Sequence, residues 1–433
     1  MRKIVLLFTV FISFALCALR AEEKAFVFDA AEKEVSLTLD EAVAIALRDS
    51  RDILLRIEDV NKAKERLAES KAGLLPTLNF TGGWTYSKNL YPQGLGQTAT
   101  QFTLKQYLYK GGETINTIKY NGYNLEVTQA VLDKAKLDLV LNVQNAFYTL
   151  SLAEEFTELN KYILYNAKAH LEVEEARYQS GEASESDILA IKESLSATEE
   201  AYEESLNQVE AASGLLKNLL YLDDKVRIRP QAQLSYEPRD IAYDEAFLKA
   251  MKTRPEIRQY EALQEANKKA VEMAKSKGRP NIYASWDYYS RSTTSLTFMP
   301  SKGWQDYNII GITFSWPMFD GWLTKARIEQ AIVDLRQTRL TKEKTVKDIA
   351  LELKNAYLDL KDAVSKIKTA ESEIAAYSDN LSVIKLKYDD GIASLLDLED
   401  ANLRYSISKF NKIQAAYDYI IAKANFDKAT GGI

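Results

Sequence analysis

The chain has 433 residues, of which 17 are glycine and 8 are proline, and its formal net charge is −6. So few glycines and prolines predict long uninterrupted elements, and a hydrophobic content of 46% argues against a bundle of membrane-spanning helices. The acidic balance also argues against a nucleic-acid-binding protein, which typically carries a basic face or stripe.

The N-terminus, residues 1–21, is a predicted signal peptide. A basic residue pair precedes an apolar run over 4–16, which is the order and length of a secretory signal. The alternative is a membrane anchor, but such a run is shorter than the roughly 20 residues that a spanning helix needs. Cleavage is expected between Cys17 and Ala21. A bulky leucine before Cys17, the chain's one cysteine, argues against lipidation of that residue.

The rest of the chain repeats one plan, predicted at 22–222 and 244–433, with a linker at 223–243. Asp40-Glu41-Ala42 returns as Asp244-Glu245-Ala246, and Pro76 returns as Pro280, both 204 residues later. Further along the shift is 210, and the matched pairs are Gly111 with Gly321, Ala146 with Ala356, Tyr178 with Tyr388, Gly181 with Gly391 and Asp187 with Asp397. Each copy is predicted as helix, strand pair, very long helix, turn and helix.

Two inserts between helices are predicted to form strand pairs, at about 77–87 and 99–109 and at about 281–291 and 307–318. Apolar residues alternate with polar ones along each strand, and the apolar sets are Leu78, Phe80, Trp84 and Tyr86; Phe102, Leu104 and Leu108; Ile282, Ala284, Trp286 and Tyr288; and Ile310, Ile312, Phe314, Trp316 and Met318. Gln106, Tyr283 and Tyr289 break the alternation.

Such alternation, over the roughly nine to eleven residues that cross a bilayer when tilted, is typical of transmembrane barrels. A small water-soluble sheet packed on a core is the alternative. Four strands cannot close a barrel, for which about eight are needed, and an open sheet edge is excluded from lipid. A chain that spans a membrane in this way is therefore expected to oligomerise.

Residues 112–178 and 322–388 are predicted to be exceptionally long helices, because the second range lacks glycine and proline and the first contains only Gly122 in its interior. At 1.5 Å per residue, each would span about 100 Å. A heptad seam in the second range predicts coiled-coil packing, and its members are Leu353, Leu360, Ile367, Ile374, Leu381 and Tyr388, with Ala356, Ala363 and Ala370 beside them. Breaks near 179–187 and 389–397 predict two antiparallel helical hairpins.

In this order, the residues resemble the outer-membrane efflux protein family, the TolC-like channel-tunnels. The resemblance covers essentially the whole mature chain. Its local motifs are Arg177-Tyr178-Gln179-Ser180-Gly181 with Asp187, Lys387-Tyr388-Asp389-Asp390-Gly391 with Asp397, and Arg254-Pro255-Glu256. It implies a homotrimer whose strands close a 12-stranded barrel in the outer membrane of a Gram-negative-type cell. It also implies that the hairpins form a periplasmic tunnel, with the linker 223–243 in a collar around it.

The predicted fold is therefore mainly α with transmembrane β, and the implied function is a passive exit channel for efflux or type I secretion. The implied partners are a periplasmic adaptor (membrane fusion) protein, an inner-membrane transporter and outer-membrane lipid. The alternative function is a secreted periplasmic coiled-coil scaffold or adaptor without channel activity. An adaptor is expected to carry one hairpin, whereas this sequence predicts two in series.

Tyr388, Asp397 and Asp400 are the predicted periplasmic gate. In the family, acids at the two aspartate positions face the tunnel axis as rings, and the matching tyrosine helps to hold the gate closed. Three converging carboxylates would repel one another and attract cations. The alternative explanation for both acids is their place near a helix N-terminus, whose dipole favours carboxylates.

Gly181, Asp187 and Gly391 are the predicted adaptor-docking tips. Each glycine also fits a helix C-cap, because glycine takes a positive φ at little cost. No catalytic, metal or cofactor site is predicted. His170, the chain's one histidine, lies in a charged helical stretch, and a mature chain without Cys17 has no thiol. The energy for transport is therefore expected to come from a partner, and the sequence does not identify the cargo.

Overall fold

The computed structural model of the chain describes residues 34–87, 95–181, 184–232, 242–292, 303–390 and 392–432. The predicted signal peptide with Cys17 lies outside these ranges, and so does Gly391. None of the helices in the described ranges is long and apolar enough to cross a membrane.

The elements follow the predicted order. In the first copy they are β1 (Glu34–Leu37), α1 (Leu39–Asp49), α2 (Arg51–Ala72), β2 (Thr77–Ser87), β3 (Leu95–Lys110), α3 (Glu113–Gln179) and α4 (Glu185–Leu220). A short strand, β4 (Arg227–Pro230), follows. In the second copy they are α5 (Tyr243–Thr253), α6 (Pro255–Ser276), β5 (Asn281–Ser292), β6 (Trp304–Ser315), α7 (Leu323–Asp389) and α8 (Leu395–Ala429).

The two copies match element by element. Helices α3 and α7 each have 67 residues, α1 and α5 each have 11, and α2 and α6 each have 22. The starts of α1 and α2 precede those of α5 and α6 by 204 residues, and the starts of α3 and α4 precede those of α7 and α8 by 210. One residue correspondence therefore relates contacts in the first copy to contacts in the second.

Local sequence explains why the helices begin where they do. Thr38 and Glu41 form a capping box at α1, in which each side chain accepts a hydrogen bond from the backbone amide of the other residue. Helix α6 begins with Pro255, whose fixed φ suits the first turn and whose missing N–H has no helical partner there. A capping box thus starts the first helix of the pair in the first copy, and proline starts the second helix of the pair in the second copy.

Each copy has its own apolar core along the hairpin. The first joins α1 to α3 and α4 through buried residues that include Val143, Phe147 and Leu216, and β1 pairs with β4 beside it. The second follows the predicted heptad seam, and its buried members include Leu353, Ala356, Leu360, Ala363, Ile367 and Ala370. Beyond Ala370 the seam residues Ile374 and Leu381 are only half-buried in the single chain.

The four long strands form one antiparallel sheet in the order β2-β3-β5-β6. Its register places Phe80 opposite Phe102, Leu104 opposite Trp286, and Trp286 opposite Ile310. The predicted strand pairs are therefore joined by the β3–β5 pairing into a single sheet with one apolar face. Strands β2 and β6 form its two edges.

The fourth strand ends at Ser315, three residues before the predicted end at 318. Its neighbour β5 begins at Asn281, directly opposite Ser315, because Pro280 precedes it. Trp316 and Met318 therefore have no partner strand on that side and lie outside the sheet. In β3, by contrast, pairing with β5 continues past a bulge between Tyr107 and Tyr109 as far as Lys110.

Two side chains at the helix end of the sheet, Gln106 and Trp316, have matching roles. Gln106 donates a hydrogen bond from Nε2 to the carbonyl oxygen of Leu74 at 3.1 Å. Its counterpart 210 residues later, Trp316, donates from Nε1 to the carbonyl oxygen of Gly278 at 3.2 Å. In both copies, a side-chain N–H at the end of the second strand thus donates a hydrogen bond to the turn that precedes the first strand.

Candidate functional site

The apolar face of the four-stranded sheet is exposed. Phe80 is 62% exposed, Ile310 is 81% exposed, and the same face carries Leu78, Ile312 and Phe314, all of them exposed. A contiguous apolar surface of this kind marks a site of contact with a membrane or another protein. The two edge strands add unpaired backbone donors and acceptors, which favour addition of a further strand.

The opposite face of the sheet is polar and hydrogen-bonded across the junction of the two copies. Asp287 of β5 accepts a hydrogen bond from Oγ1 of Thr103 at 2.6 Å and another from Nε2 of Gln101 at 3.0 Å. Gln101 also donates to the hydroxyl of Tyr289 at 2.9 Å. Side chains of β3 and β5 thus hold the carboxylate of Asp287 in place on this face.

Two cations on the polar face lie against tyrosine rings. The ammonium of Lys105 is 3.9 Å from the ring centroid of Tyr283, and the guanidinium of Arg291 is 5.2 Å from that of Tyr307. Tyr307 stacks on Tyr289 with centroids 4.9 Å apart. Tyr283 and Tyr289 interrupt the sequence alternation, and the structure explains both as partners of polar-face residues.

At the first hairpin tip, α3 ends in a glycine turn. The amide of Ser180 donates to the carbonyl of Ala176 at 3.1 Å, and Gly181 follows with φ of +82°. This left-handed conformation favours glycine because a Cβ would approach its own backbone. Asp187 lies in the first turn of α4, and its side chain is outside the described part of the chain.

The second hairpin tip is similar at the end of α7. The amide of Asp390 donates to the carbonyl of Leu386 at 3.0 Å, and the amide of Ile392 donates to that of Lys387 at 2.8 Å. Gly391, between them, is outside the described residues. Tyr388 lies in the last turn of the helix and is partly exposed.

Asp397 has a structural role at the start of α8. Its Oδ2 accepts hydrogen bonds from Oγ of Ser394 at 2.7 Å and from the Ser394 amide at 2.9 Å, while its own amide donates to Oγ of Ser394 at 3.2 Å. These bonds, that from the Ser394 hydroxyl first, lower the pKa of Asp397 below its ordinary value. The geometry is that of a capping box.

Asp400 forms an ion pair one turn along the same helix. Nε of Arg404 donates to Oδ2 of Asp400 at 2.7 Å, and both side chains are more than half exposed. The hydrogen bond to Asp400 and then its charge raise the pKa of Arg404, with a smaller increase from Tyr377 of α7. The sequence prediction omitted Arg404, although its i, i+4 spacing from Asp400 is a recognisable pairing signal.

Near the tips, the two hairpins of one chain enclose a groove. It has a volume of about 260 Å³ and lies among α3, α4 and α8, with His170, Glu399 and Asp400 in its lining. Asp400 therefore lies next to the first hairpin of its own chain. Tyr388 lies in the last turn of α7, and Asp397 and Asp400 lie within the first two turns of α8.

An exposed apolar sheet carried by two long helical hairpins is the architecture expected of an outer-membrane channel protein. The model of the outer membrane efflux protein family matches residues 42–220 and 248–432, one segment in each copy. The chain therefore belongs to the outer membrane efflux protein family, whose members are transport channels and not enzymes. The resemblance predicted from the sequence is confirmed.

Individual proteins show the same similarity. The chain is 22% identical to the outer membrane protein TolC of Salmonella enteritidis over 398 residues. This alignment covers 86% of this chain and 77% of TolC. The Campylobacter jejuni CmeC outer membrane channel is 18% identical with a TM-score of 0.80, over 91% of this chain and 85% of CmeC. The open state of the Neisseria gonorrhoeae MtrE outer membrane channel is 18% identical with a TM-score of 0.77, over 91% and 89%. At these identities, the solved structures establish a shared fold.

Proposed function

We propose that this protein is the passive outer-membrane exit channel of a tripartite efflux or type I secretion system. The observation that carries the proposal is the four-stranded sheet, which exposes a continuous apolar face and has two open edges. Because lipid does not tolerate an open edge, the sheet must close with copies of itself. Three copies give a 12-stranded barrel, with the hydrogen-bonded polar face lining the lumen.

The helical hairpins are the proposed periplasmic tunnel. Each of the two 67-residue helices is about 100 Å long at 1.5 Å per residue. Three chains with two hairpins each would surround the axis with an arrangement that is nearly six-fold. A periplasmic adaptor and an inner-membrane transporter would engage the lower end and supply the energy for export. Gly181, Asp187 and Gly391 would form the docking tips. Because the two glycines have no side chain, an adaptor helix could pack closely against the turns that contain them.

Tyr388, Asp397 and Asp400 are the proposed gate. Within the chain, Arg404 pairs with Asp400, so a ring of three Asp400 carboxylates would be partly neutralised. Asp400→Asn should then weaken block of the channel by divalent cations, and Arg404→Gln should strengthen it by freeing the carboxylates. Equal block in the parent and both variants would remove Asp400 from the constriction.

Cell fractionation tests the proposed function. A barrel protein stays with outer membranes after osmotic shock, is extracted by detergent, and migrates differently on denaturing gels before and after heating. Release as a water-soluble protein by osmotic shock, with no heat-dependent change in migration, would support the coiled-coil scaffold instead.

A further inference from the structure

We propose that the junction between β6 and α7 (residues 316–323) binds the turn between α2 and β2 (residues 73–76) of a second copy of this chain, through apolar side chains. The inference rests on the proposed trimeric channel and assigns the residues that close its ring. It comes from comparing this junction with its counterpart between β3 and α3, which is occupied within the chain.

The β3–α3 junction packs tightly on the turn between α6 and β5. Gly111 has φ of +61°, and a Cβ there would lie 2.5 Å from the carbonyl oxygen of Ser276 and 2.9 Å from Cβ of Arg279. Nη1 of Arg279 donates to the carbonyl oxygen of Gly111 at 3.1 Å, and Lys277 pairs with Glu113. This contact between the two copies is therefore close and ionic.

The β6–α7 junction has the same backbone form but faces solvent. Gly321 has φ of +66°, and no described atom outside its immediate chain neighbours lies within 4 Å of a Cβ placed there. Trp322, with φ of +68°, occupies the left-handed position that Gly112 holds in the first copy. Trp322 is 68% exposed, and Phe319 and Leu323 are exposed beside it. Trp316 contacts the turn of its own repeat through its hydrogen bond to Gly278, but within the described residues the side of the junction that carries Gly321 and Trp322 is uncovered.

The duplication identifies the missing partner. A shift of 204 maps Lys277 onto Gly73 and Arg279 onto Leu75, and a shift of 210 maps Glu113 onto Leu323. Leu75 is 65% exposed, and Leu74 beside it is also exposed. Both members of the Lys277–Glu113 pair are thus replaced by uncharged residues, as expected if the two surfaces meet. The carboxylate that remains in the junction, that of Asp320, accepts hydrogen bonds from the amide and hydroxyl of Thr324 in its own chain.

The neighbouring helices carry a second complementary pair. Within the chain, Lys134 of α3 pairs with Glu256 of α6 at 3.8 Å. The same shifts map Lys134 onto Lys344 of α7 and Glu256 onto Asp52 of α2. Lys344 and Asp52 have opposite charges and both are exposed. The α7–α2 contact between chains would therefore keep an ion pair that the α3–α6 contact makes within the chain.

The contact joins two different surfaces, so it is heterologous and can close into a ring. Each chain contributes one internal contact between its copies and one contact to the next chain. Three chains therefore give three internal and three external contacts in alternation, ionic at the first kind of junction and apolar at the second.

Crosslinking of the detergent-solubilised full chain tests the inference, in a Cys17→Ser background. Gly73→Cys combined with Leu323→Cys and treated with a short bis-maleimide should give covalent dimers and trimers on denaturing gels. The matched control, Lys277→Cys combined with Glu113→Cys, should crosslink within one chain and keep the monomer mass. Neither Gly73→Cys nor Leu323→Cys alone should give a ladder of crosslinked species, because a heterologous contact does not bring a residue close to the same residue of another chain.

Charge reversal gives a second readout. Asp52→Lys and Lys344→Asp should each lower the fraction of trimer that survives in detergent, and the double variant should restore it. A trimer by native mass that gives neither ladder nor rescue would overturn the inference and leave the channel proposal intact. A chain that forms no oligomer and never conducts would overturn both.

Discussion

Arg254 is a buried cation, with 4% of its surface exposed, and its contacts explain how it remains charged. It donates to Glu352 at 2.7 Å, to both carboxylate oxygens of Glu256 at 3.1 Å, and to the carbonyls of Lys428 and Ala429 near the end of α8. Burial opposes the charge, but the hydrogen bond to Glu352 and the two carboxylate charges outweigh it and raise the pKa of Arg254. One side chain thus ties α6 to α7 and α8.

Replacing Arg254 should strongly destabilise the second copy. Arg254→Met would leave the carboxylate of Glu256 buried without its main partner, which costs about 3–5 kcal/mol of unfolding free energy in comparable cases. Urea denaturation measures the loss. The matched control is Arg56→Met, whose pair with Asp59 is about half exposed on each side and should cost at most about 1 kcal/mol. Equal losses would show that the Arg254 contacts do not stabilise the fold.

Asp397 should act through its capping hydrogen bonds. Because those bonds lower its pKa in the folded chain, their contribution is present above the ordinary aspartate pKa of about 3.9 and is lost as the pH falls through the lowered value. At neutral pH, Asp397→Ala should speed amide hydrogen exchange in the first turn of α8, whereas Asp397→Asn keeps an acceptor and should speed it less. Identical exchange in the two variants would contradict the capping role.

At the scale of elements, the hairpin turn depends on the left-handed glycine at its tip. Gly181→Ala should destabilise the last turn of α3 by about 1 kcal/mol, because alanine is disfavoured at positive φ. Amide exchange at 176–181 should become roughly fivefold faster. Gly122→Ala is the control: this glycine lies in the helix interior with open space around it, so alanine should slow local exchange. Slower exchange at the tip in Gly181→Ala would contradict this account.

The sequence predicts elements best where a period extends over many residues. The heptad seam of α7 and the alternation of Ile310, Ile312 and Phe314 specify which side is buried and which face is apolar, and the structure follows them. The end of β6 was predicted wrongly because it depends on where β5 begins, which alternation within β6 cannot show. Gln106 was read as an interruption because its acceptor, the carbonyl of Leu74, is 32 residues away.

The tip residues were the least predictable, since short-range partners compete for them. The sequence placed Asp397 and Asp400 near a helix start, which the structure confirms. It did not reveal that Ser394 and Arg404 already satisfy these carboxylates within the chain. Whether the carboxylates also form rings is decided between chains, and the gate therefore stays a prediction.

At the scale of the whole molecule, a duplicated chain presents unequal surfaces. The first and second copies bind each other through α3 and α6, while α2 and α7 carry the exposed counterparts of that contact. The sheet has the same asymmetry, because β3 and β5 pair with each other, whereas β2 and β6 are the two edge strands. Open edges in the sheet and exposed faces in the helices thus occur at equivalent places, as expected of one subunit of a ring.

The most direct test of the channel is single-channel conductance of the purified protein in a planar bilayer, with proteoliposome reconstitution as a check on insertion. The account predicts discrete, uniform conductance steps from trimeric particles, which should be small if the proposed gate residues narrow the tunnel. A folded, detergent-stable oligomer that inserts but never conducts would contradict the central claim that the chain forms an outer-membrane exit channel.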